Sequence, residues 1–339
     1  MAIVSIAKAA GTVKIKDFAI FAGFAISWRE PCRVESSPKR LCVLCALFGE
    51  FFQQLACDTI VLMATPDAFD DRLRRWMSRH RRVFALTGAG CSTASGIPDY
   101  RDDQGEWRRR PPVMIQAFRT QAEVYRRYWA RAYAGWPRLA GAMPNAAHHA
   151  FAAWESAGTL LQLVTQNVDG LHQRAGSSSV VDLHGRLDVV VCLGCGARIS
   201  RAALQDVMAC ENPDWRAEAT TAPDGDADID AAVIESFTAP RCAACGGMVK
   251  PDVVFFGENV PGDRYESARE ALANADALLV AGSSLMVYSG FRFVRLAHDA
   301  GLPIAIVNRG RTRGDDLAEL KIESDVGSAL AGAVAAQYG

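Results

Sequence analysis

Four cysteines stand in two pairs whose spacing is typical of metal ligation. Cys192 and Cys195 form the first CxxC pair, Cys242 and Cys245 form the second, and a glycine follows each pair. Four thiolates complete a tetrahedral zinc shell and leave no open coordination position, so the pattern predicts a structural zinc site. It also favours a reducing compartment, because in a chain of 339 residues such pairs ligate metal more often than they form disulfides.

A second candidate site is the glycine-rich stretch LTGAGCSTASGIPDYRD, residues 86–102. Gly88 and Gly90 form a GxG, but five residues separate Gly90 from Gly96, whereas the hydride-transfer fingerprint is GxGxxG. Glycines let the backbone approach a pyrophosphate, with N–H groups facing the anion. On the glycines alone, a tight turn without a ligand is an equal alternative. Asp99 and Arg101 follow as an oppositely charged pair, and Arg101 is long enough to reach a phosphate or a ribose.

These groups need strands to position them, and five apolar runs of the chain predict such strands. The runs are VFALT, LLQLVT, VVDL, ADALLVA and LPIAIV, and helix-like stretches such as AHHAFAAWESAG lie between them. Apolar strands that alternate with helices predict an α/β fold with a Rossmann-like doubly wound parallel sheet. Thr87, Thr165, Gly282 and Asn308 stand at strand ends. In such sheets the carboxyl ends of the strands form the ligand crevice.

The composition divides the chain into four parts. Residues 1–62 hold four of the six lysines and four of the ten cysteines. We expect them to be an over-extended start or a poorly ordered tail; a targeting peptide is the alternative, although their acidic residues speak against it. Residues 63–186 and 251–339 carry the two halves of the Rossmann-like part. Residues 187–250 interrupt the alternation of strands and helices and contain both CxxC pairs. This segment therefore predicts a small inserted four-cysteine zinc-binding module.

Charge and hydropathy argue against two classes of partner. The formal net charge is −1, so no overall basic field favours nucleic acid or a membrane surface. The apolar stretch FAIFAGFAIS, residues 18–27, has half of the ~20 residues that a membrane span needs. We therefore expect no nucleic-acid partner and no membrane attachment. We also expect a monomer that works in the cytoplasm. The mitochondrial matrix is the alternative if residues 1–62 are a targeting segment.

Five motifs, in order, resemble those of the sirtuins, which are NAD-dependent protein deacylases. They are GAGCSTASGIPDYRD, TQNVDGLHQRAG, LHG, KPDVVFFGE and GSSLMVYS, within about residues 80 to 330. RYWARAYAGWP, NPDWRAEA, APDGD and TRGDDLAELK resemble the class II branch, which includes a mitochondrial member. The resemblance implies NAD⁺ as a consumed co-substrate, one structural Zn²⁺, and acyl-lysine proteins or peptides as substrates.

The resemblance also implies which residues form the site. His184 would be the catalytic base and Asn167 a second catalytic residue, whereas a structural histidine and a polar turn are the alternatives for these positions. The residues implied to bind NAD⁺ are Gly88, Ala89, Gly90, Thr93, Ile97, Pro98, Asp99, Tyr100, Arg101, Gln166, Asn167, Asp169, Gly282, Ser283, Ser284, Asn308, Arg309, Gly310 and Val326.

By the same resemblance, the enzyme breaks the bond between nicotinamide and ribose. The acyl-lysine carbonyl oxygen attacks ribose C1′, the base activates a ribose hydroxyl, and the acyl group migrates to ADP-ribose. An elongated loop suits this reaction because it can close over the bond and exclude water. Mono-ADP-ribosyl transfer is the alternative enzyme activity. A non-catalytic NAD-responsive zinc scaffold is the alternative outside enzymes, and a zinc-ribbon nucleic-acid binder is disfavoured because the module lacks a basic, aromatic-interleaved face.

Three departures from the family pattern raise specific questions. Cys91 stands where many sirtuins have an aliphatic residue, so it is either a small apolar filler or a redox-sensitive thiol. Tyr100 replaces the common phenylalanine and keeps an aromatic ring. Tyr128 and Arg131 share the spacing of the pair that binds acidic acyl groups in desuccinylating sirtuins, but the string around them resembles class II, in which it need not line the acyl pocket.

Overall fold

The computed structural model describes residues 8–9, 12–13, 71–99, 113–217, 220–221, 227–229 and 231–338. The chain divides into two units, residues 1–67 and 68–339. In the first unit, the strands β1 (Lys8–Ala9) and β2 (Thr12–Val13) form an antiparallel pair. Tyr100 and Arg101, which the sequence assigns to NAD⁺ binding, lie outside the described residues, as do most of residues 1–62.

The second unit alternates helices and strands. Its first half contains α1 (Asp71–Met77), β3 (Val83–Thr87), two 3₁₀ turns (Ala89–Cys91 and Thr93–Ser95), α2 (Ile115–Thr120), α3 (Ala122–Gly141), α4 (Ala146–Ser156), β4 (Leu160–Thr165), α5 (Leu171–Arg174) and β5 (Val180–Asp182). The middle part contains β6 (Gly185–Cys192), β7 (Arg198–Ser200), α6 (Arg201–Glu211), β8 (Thr220–Thr221), β9 (Ala227–Asp228), α7 (Ala231–Glu235) and β10 (Val249–Val253). The last part contains α8 (Gly262–Ala273), β11 (Ala277–Ala281), α9 (Tyr288–Asp299), β12 (Ile304–Val307), a 3₁₀ turn (Asp315–Leu317), β13 (Leu320–Ile322) and α10 (Val326–Tyr338).

Six strands form a parallel sheet in the order β13-β12-β11-β3-β4-β5. This sheet confirms the predicted doubly wound α/β fold. The five apolar runs of the sequence are β3, β4, β5, β11 and β12. The sequence did not predict β13, because three residues at a sheet edge carry too little apolar pattern to stand out.

Both faces of this sheet are buried, which explains why its central strands are largely apolar. Val83 and Ala85 of β3 pack in one cluster with residues of α1, α4 and α10. Phe84 and Leu86 pack on the opposite face with residues of α8 and α9. A strand covered on both sides has no solvent-facing position for polar residues. The polar residues of this region come after the strands end, and that edge of the sheet is where the site lies.

The middle part forms a second, three-stranded antiparallel sheet in the order β10-β6-β7. Helix α3 is bound to it by two aromatic side chains. Trp129 Nε1 donates to the carbonyl oxygen of Val249 at 3.2 Å. The hydroxyl of Tyr125 donates to Pro240 O at 2.6 Å and accepts from the N–H of Val249 at 3.1 Å. Among the helices that the structure describes, none combines the length and the apolar character needed to span a membrane.

Candidate active site and metal centre

A cavity of about 970 Å³ lies where β3, β4, β11 and β12 end. This volume is at the upper end of ordinary ligand sites. Of the residues predicted from the sequence, the structure places on its wall Gly88, Ala89, Gly90, Thr93, Ile97, Pro98, Asp99, Gln166, Asn167, Asp169, His184, Gly282, Ser283, Ser284, Asn308, Arg309 and Val326. Gly310 does not line it: a φ of +70° turns the chain there, and the Gly310 carbonyl oxygen accepts from Lys321 Nζ at 3.0 Å.

The three glycines at the base of the cavity bring two loops into backbone contact. A Cβ on Gly88 would lie 2.8 Å from the carbonyl oxygen of Gly282, and a Cβ on Gly282 would lie 2.4 Å from the nitrogen of Cys91. The N–H of Gly88 donates to Ala281 O at 3.1 Å, and the N–H of Gly90 donates to Gly282 O at 2.8 Å. The expectation that these two N–H groups face an anion is therefore wrong. The glycines are needed so that the loops can touch.

The chain after Gly88 makes two short 3₁₀ turns instead of an α-helix. Gly96 ends the second turn with a φ of +82°, which a residue with a Cβ rarely adopts. Ser92 lies between the turns and is buried. This geometry places the Ser92 hydroxyl under the cavity.

Ser92, Asn167 and Asp169 form a hydrogen-bonded group in the wall of the cavity. Asn167 Nδ2 donates to Gly88 O at 3.1 Å and to Ser92 Oγ at 3.0 Å. The Ser92 hydroxyl in turn donates to Asp169 Oδ2 at 2.7 Å. Because both hydrogens of the Asn167 amide are bound within the protein, its Oδ1 is left as an acceptor for a ligand.

The Ser92 hydroxyl oxygen accepts two hydrogen bonds, one from Asn167 and a second from His148. The N–H of Asn145 donates to His148 Nδ1 at 3.2 Å, so the proton of the neutral ring is on Nε2. His148 Nε2 lies 3.4 Å from Ser92 Oγ and donates to it. Burial, with a smaller contribution from the charge of His149, lowers the pKa of His148 to about 4, so this ring is neutral at pH 7. The direction of each hydrogen bond around Ser92 is thereby fixed.

Asp169 accepts from Ser92 and, through Oδ1, from the N–H of Leu171 at 2.9 Å. Burial raises the pKa of this carboxyl group, whereas the two hydrogen bonds and the charge of Arg186 act in the opposite direction. A carboxylate held in this way at a cavity wall can accept a hydrogen bond from an amide group of a ligand.

His184 lies between β5 and β6 with its ring on the cavity wall. Its backbone is fixed, since its carbonyl oxygen accepts from the N–H of Val254 at 2.8 Å. Gly185 follows with a φ of +81°, and a Cβ there would lie 1.9 Å from the carbonyl oxygen of Asp252. Only glycine therefore allows β10 to pack against the chain beside the histidine.

The protonation of the His184 ring follows from its partners. Nδ1 lies 2.9 Å from Gln166 O, and a carbonyl oxygen can only accept, so Nδ1 carries the proton. Nε2 therefore carries the unprotonated lone pair, and it lies 2.7 Å from Ser289 Oγ. Burial, together with the charges of Arg292 and Arg264, lowers the pKa of His184 to about 4, although the bond to Gln166 raises it. The ring is thus a neutral proton acceptor at pH 7, with a pKa below that expected for histidine.

The far end of the cavity holds the residues that follow β11 and β12. Ser283 Oγ accepts from Gln166 Nε2 at 2.8 Å and from the N–H of Leu285 at 3.2 Å. The N–H of Asn308 donates to Ile322 O at 3.1 Å, which ties the end of β12 to β13. Arg309 Nη2 lies 3.5 Å from Asp325 Oδ2 at the exposed rim.

The four cysteines of the two CxxC pairs meet at the end of the three-stranded sheet. The Sγ atoms of Cys192, Cys195, Cys242 and Cys245 all lie within 4.8 Å of one another. Cys192 and Cys245 are 3.5 Å apart at sulfur, and Cys195 and Cys242 are 3.8 Å apart. Zinc bound to four thiolates at about 2.3 Å requires sulfur atoms about 3.8 Å apart, so the cluster fits a tetrahedral zinc ion.

The turn around Cys192 favours the thiolate form of that residue. The N–H groups of Cys195 and Gly194 both donate to Cys192 Sγ and lower the pKa of that thiol to about 6. Gly194 and Gly247 pass close to the sulfur atoms, where a Cβ on Gly247 would lie 3.1 Å from Cys245 Sγ. The donor set and the turn geometry both suit a structural metal.

Comparisons with known proteins agree with this geometry. The Sir2 family matches residues 88–289 of this chain. The NAD-dependent protein deacetylase of Xanthomonas campestris pv. campestris (strain 8004) is 59% identical over 260 residues, which cover 76% of this chain and 89% of that protein. This chain belongs to the Sir2 family. The human NAD-dependent protein lipoamidase sirtuin-4, mitochondrial, is 48% identical over 262 residues, with 76% and 83% covered.

A solved structure shares the fold as well. The complex described as Sir2-p53 peptide-NAD+ superposes with a TM-score of 0.60 at 30% sequence identity, and the match covers 76% of this chain and 94% of that one. The resemblance to sirtuins that the motifs indicated is confirmed.

Three residues of this Sir2 protein hold the site together but were missed by sequence reasoning. Ser92 lies within the glycine-rich stretch, and its position between Gly90 and Gly96 was the only signal available. His148 is the first of two adjacent histidines, of which the second is exposed. Ser289 ends the motif GSSLMVYS, but nothing near it in the sequence indicates a contact with His184, which is 105 residues away.

Cys91 of this Sir2 protein behaves as an apolar filler. Its thiol is 1% exposed and donates to Ala281 O at 3.3 Å. Burial raises its pKa to about 12. Because the thiolate is the reactive form, a redox role for Cys91 is disfavoured.

Proposed function

We propose that this protein is an NAD-dependent protein lysine deacylase of the deacetylase type. It cleaves NAD⁺ to nicotinamide and transfers the acyl group from lysine to ADP-ribose. The observation that carries this proposal is the His184 ring, whose Nδ1 is bound to Gln166 O so that Nε2 presents a lone pair at the cavity wall. The Xanthomonas relative, named NAD-dependent protein deacetylase, supports the same activity.

The cavity fits NAD⁺ by its shape and by its donors and acceptors. Side chains on Gly88 or Gly282 would break the loop contact that forms its base. Asn167 offers Oδ1 as an acceptor for a ribose hydroxyl, because both of its amide hydrogens are bound within the protein. When bound, NAD⁺ supplies a glycosidic bond whose cleavage lets ribose C1′ accept the acyl oxygen.

The residues of the chain then act on a held substrate. Asp169, fixed by Ser92 and Leu171, accepts from the carboxamide of the nicotinamide end. The loop over residues 88–99 excludes water from the bond that breaks. His184 Nε2 takes a proton from a ribose hydroxyl, and the Gln166 carbonyl oxygen, which accepts from Nδ1–H, stabilises the resulting imidazolium.

The same cavity supports a preference for uncharged acyl groups. Ile97, Val113, Leu187 and Phe255 give part of its wall an apolar surface. Tyr128 also lines the cavity, but Arg131 is not among its described lining residues. We propose that acetyl and longer neutral acyl-lysines are substrates and that succinyl-lysine is a poor one.

We propose further that the four-cysteine module, residues 187–250, is held by one structural zinc between the two halves of the Rossmann-like part, residues 63–186 and 251–339. We propose also that the protein acts as a monomer. The cluster of reduced cysteines supports a cytoplasmic location, since thiolate ligands persist in a reducing compartment.

The test is the full-length protein with NAD⁺ and a panel of acetyl-, lipoyl-, biotinyl- and succinyl-lysine peptides. We expect nicotinamide release that depends on acyl-peptide and O-acyl-ADP-ribose as the product, with the lowest kcat/KM for the succinyl peptide. Label from NAD⁺ that accumulates on protein without loss of the acyl group would favour mono-ADP-ribosyl transfer instead. Absence of both products would refute the proposal.

A further inference from the structure

The lone pair of His184 is occupied in this structure by a side chain that the proposed chemistry does not use. Ser289 Oγ lies 2.7 Å from Nε2. Nε2 carries no proton, since Nδ1 donates to the Gln166 carbonyl oxygen. The Ser289 hydroxyl is therefore the donor. The ring is held between a carbonyl acceptor on one nitrogen and a hydroxyl donor on the other.

The segment that carries Ser289 is packed against the segment that carries Gln166, the other hydrogen-bond partner of the His184 ring. Ser289 lies in the first turn of α9, and its carbonyl oxygen accepts from Arg292 Nε at 3.2 Å. The next residue, Gly290, packs on Gln166, because a Cβ there would lie 2.4 Å from Gln166 Oε1. The segments that carry Gln166 and Ser289 are thus in direct contact, and the imidazole ring of His184 fits between its two hydrogen-bond partners.

A hydroxyl suits this position because it can reverse its role. While Nε2 is unprotonated, the Ser289 hydroxyl donates to it. Once Nε2 has taken a proton, the same oxygen can accept from Nε2–H after rotation about the Cβ–Oγ bond. Ser289 also lines the cavity, so it lies where a ribose hydroxyl would compete for the same lone pair.

We propose that Ser289 is a positioning residue for His184, which holds the imidazole towards the cavity before NAD⁺ binds and yields the Nε2 lone pair to a ribose hydroxyl when the substrate is in place. This inference rests on the proposed deacylase function for its kinetic consequence. Its structural part, the hydrogen bond from Ser289 to Nε2, stands independently of that function.

Charged groups around the His184 ring also affect its pKa, which the test measures. Arg292 of α9 and Arg264 of α8 both lower the pKa of His184, and burial lowers it most. From β10, Asp252 faces Arg264 and pairs with it at 3.1 Å. The Ser289 hydroxyl acts on both forms of the ring, since it donates to the neutral form and accepts from the protonated form, and the bond to the charged form is the stronger one.

The first arm of the test uses nuclear magnetic resonance on the full chain without substrate. In the wild type we expect a protonated Nδ1, an unprotonated Nε2 and a ring that titrates near pH 4. Ser289→Ala should lower the pKa of the ring, because the bond that Ser289 accepts from the protonated ring is charge-assisted and is the stronger of its two bonds, and Ser289→Thr should restore it. Ser78→Ala, which removes an exposed hydroxyl at the end of α1, is the matched control and should match the wild type. An unchanged titration in Ser289→Ala would overturn the proposal.

The second arm separates two steps of the reaction. Exchange of labelled nicotinamide into NAD⁺ reports bond cleavage, which precedes the proton transfer to His184. We expect Ser289→Ala to leave this exchange unchanged, to lower the rate of acyl transfer about 3- to 10-fold, and to shift the acid limb of its pH profile downward. In a His184→Ala background the Ser289→Ala change should have no further effect. Equal loss of exchange and transfer, or additive losses in the double variant, would contradict the proposal.

The two arms keep this inference distinct from the proposed function. If the wild type shows no deacylation but Ser289→Ala still shifts the His184 titration, the positioning role holds and the proposed function fails. If the wild type deacylates and Ser289→Ala changes neither titration nor acyl transfer, the function holds and the positioning role fails.

Discussion

The four cysteines of the metal centre come from two tight turns, and the N–H groups of the same turns donate to the sulfur of Cys192. The cavity is assembled differently. Asn167 binds Ser92 across 75 residues of sequence, and His184 binds Ser289 across 105. Within each CxxC pair the metal centre depends on local chain geometry, and only the two pairs, which are 47 to 53 residues apart, must be brought together. The cavity depends on contacts between several distant segments. This difference predicts which substitutions stay local and which disturb the whole site.

Loss of one zinc ligand should have the largest effect. We expect Cys192→Ser to lose the metal and to unfold the four-cysteine module, since structural zinc contributes on the order of 10 kcal/mol in small domains. Metal content per chain and thermal unfolding measure this change. Cys210→Ser, at an exposed cysteine of α6 outside the cluster, is the matched control and should keep its zinc. A stable, fully active and zinc-free Cys192→Ser protein would show that the module needs no metal.

Removal of the base should leave the fold intact and abolish most of the activity. We expect His184→Gln to lower kcat for acyl transfer about 10²- to 10⁴-fold, because a general base contributes on this scale. Zinc content and Tm should stay at the wild-type values. His298→Gln, at an exposed histidine of α9, is the control and should retain full turnover. Wild-type turnover in His184→Gln would remove this residue from its proposed role.

A methyl group at the loop contact should damage the cavity through its backbone. Gly282→Ala places a Cβ 2.4 Å from the nitrogen of Cys91 at a φ of +63°. We expect it to weaken NAD⁺ binding and to lower the free energy of unfolding by about 3 kcal/mol, from overpacking and backbone strain together. Gly301→Ala has a similar φ of +69° with no atom within 4 Å of the added Cβ, so it isolates the strain. Calorimetric titration and thermal unfolding would show equal losses in both variants if the loop contact were unimportant.

The buried histidine beneath the cavity should make stability depend on pH. Burial lowers the pKa of His148 to about 4, so the unfolded chain takes up a proton near pH 6.5 while the folded chain does not. Stability should therefore fall as the pH drops from about 6.5 to 4, by about 1.4 kcal/mol per pH unit for this group. Denaturant unfolding should show a shallower pH slope in His148→Gln. His149→Gln, its exposed neighbour, is the control; if it changes the slope as much as His148→Gln, burial of His148 is not the cause.

Features with a local cause were predictable from the sequence. The CxxC spacing identified the four cysteines that meet in the structure, and the apolar runs identified five of the six strands of the parallel sheet. Polar residues at strand ends, such as Asn167 and Asn308, lie on one cavity wall because the strands are parallel. In each case the signal is a short stretch of sequence, and the parallel sheet or the metal brings the distant stretches together.

Features with a distant cause were not predictable. The sequence predicts that the loop glycines let the backbone approach a phosphate. In the structure, Gly88 and Gly90 instead let the loop approach the backbone of Gly282. The pKa of His184 depends on burial and on Arg264 and Arg292, which belong to other elements. The role of Ser289 depends on the orientation of the His184 ring, which places Nε2 against the Ser289 hydroxyl. The division into domains and the roles of the individual site residues remain predictions.

The central claim is that the chain consumes NAD⁺ by cleavage at the ribose, with His184 completing acyl transfer. Mass spectrometry of a single turnover with NAD⁺ and an acetyl-lysine peptide tests this claim most directly. The account predicts equal amounts of nicotinamide, deacetylated peptide and O-acetyl-ADP-ribose in the wild type, with the last two products almost absent in His184→Gln. Intact NAD⁺ after complete deacetylation, or free acetate with no acetylated ADP-ribose, would contradict it.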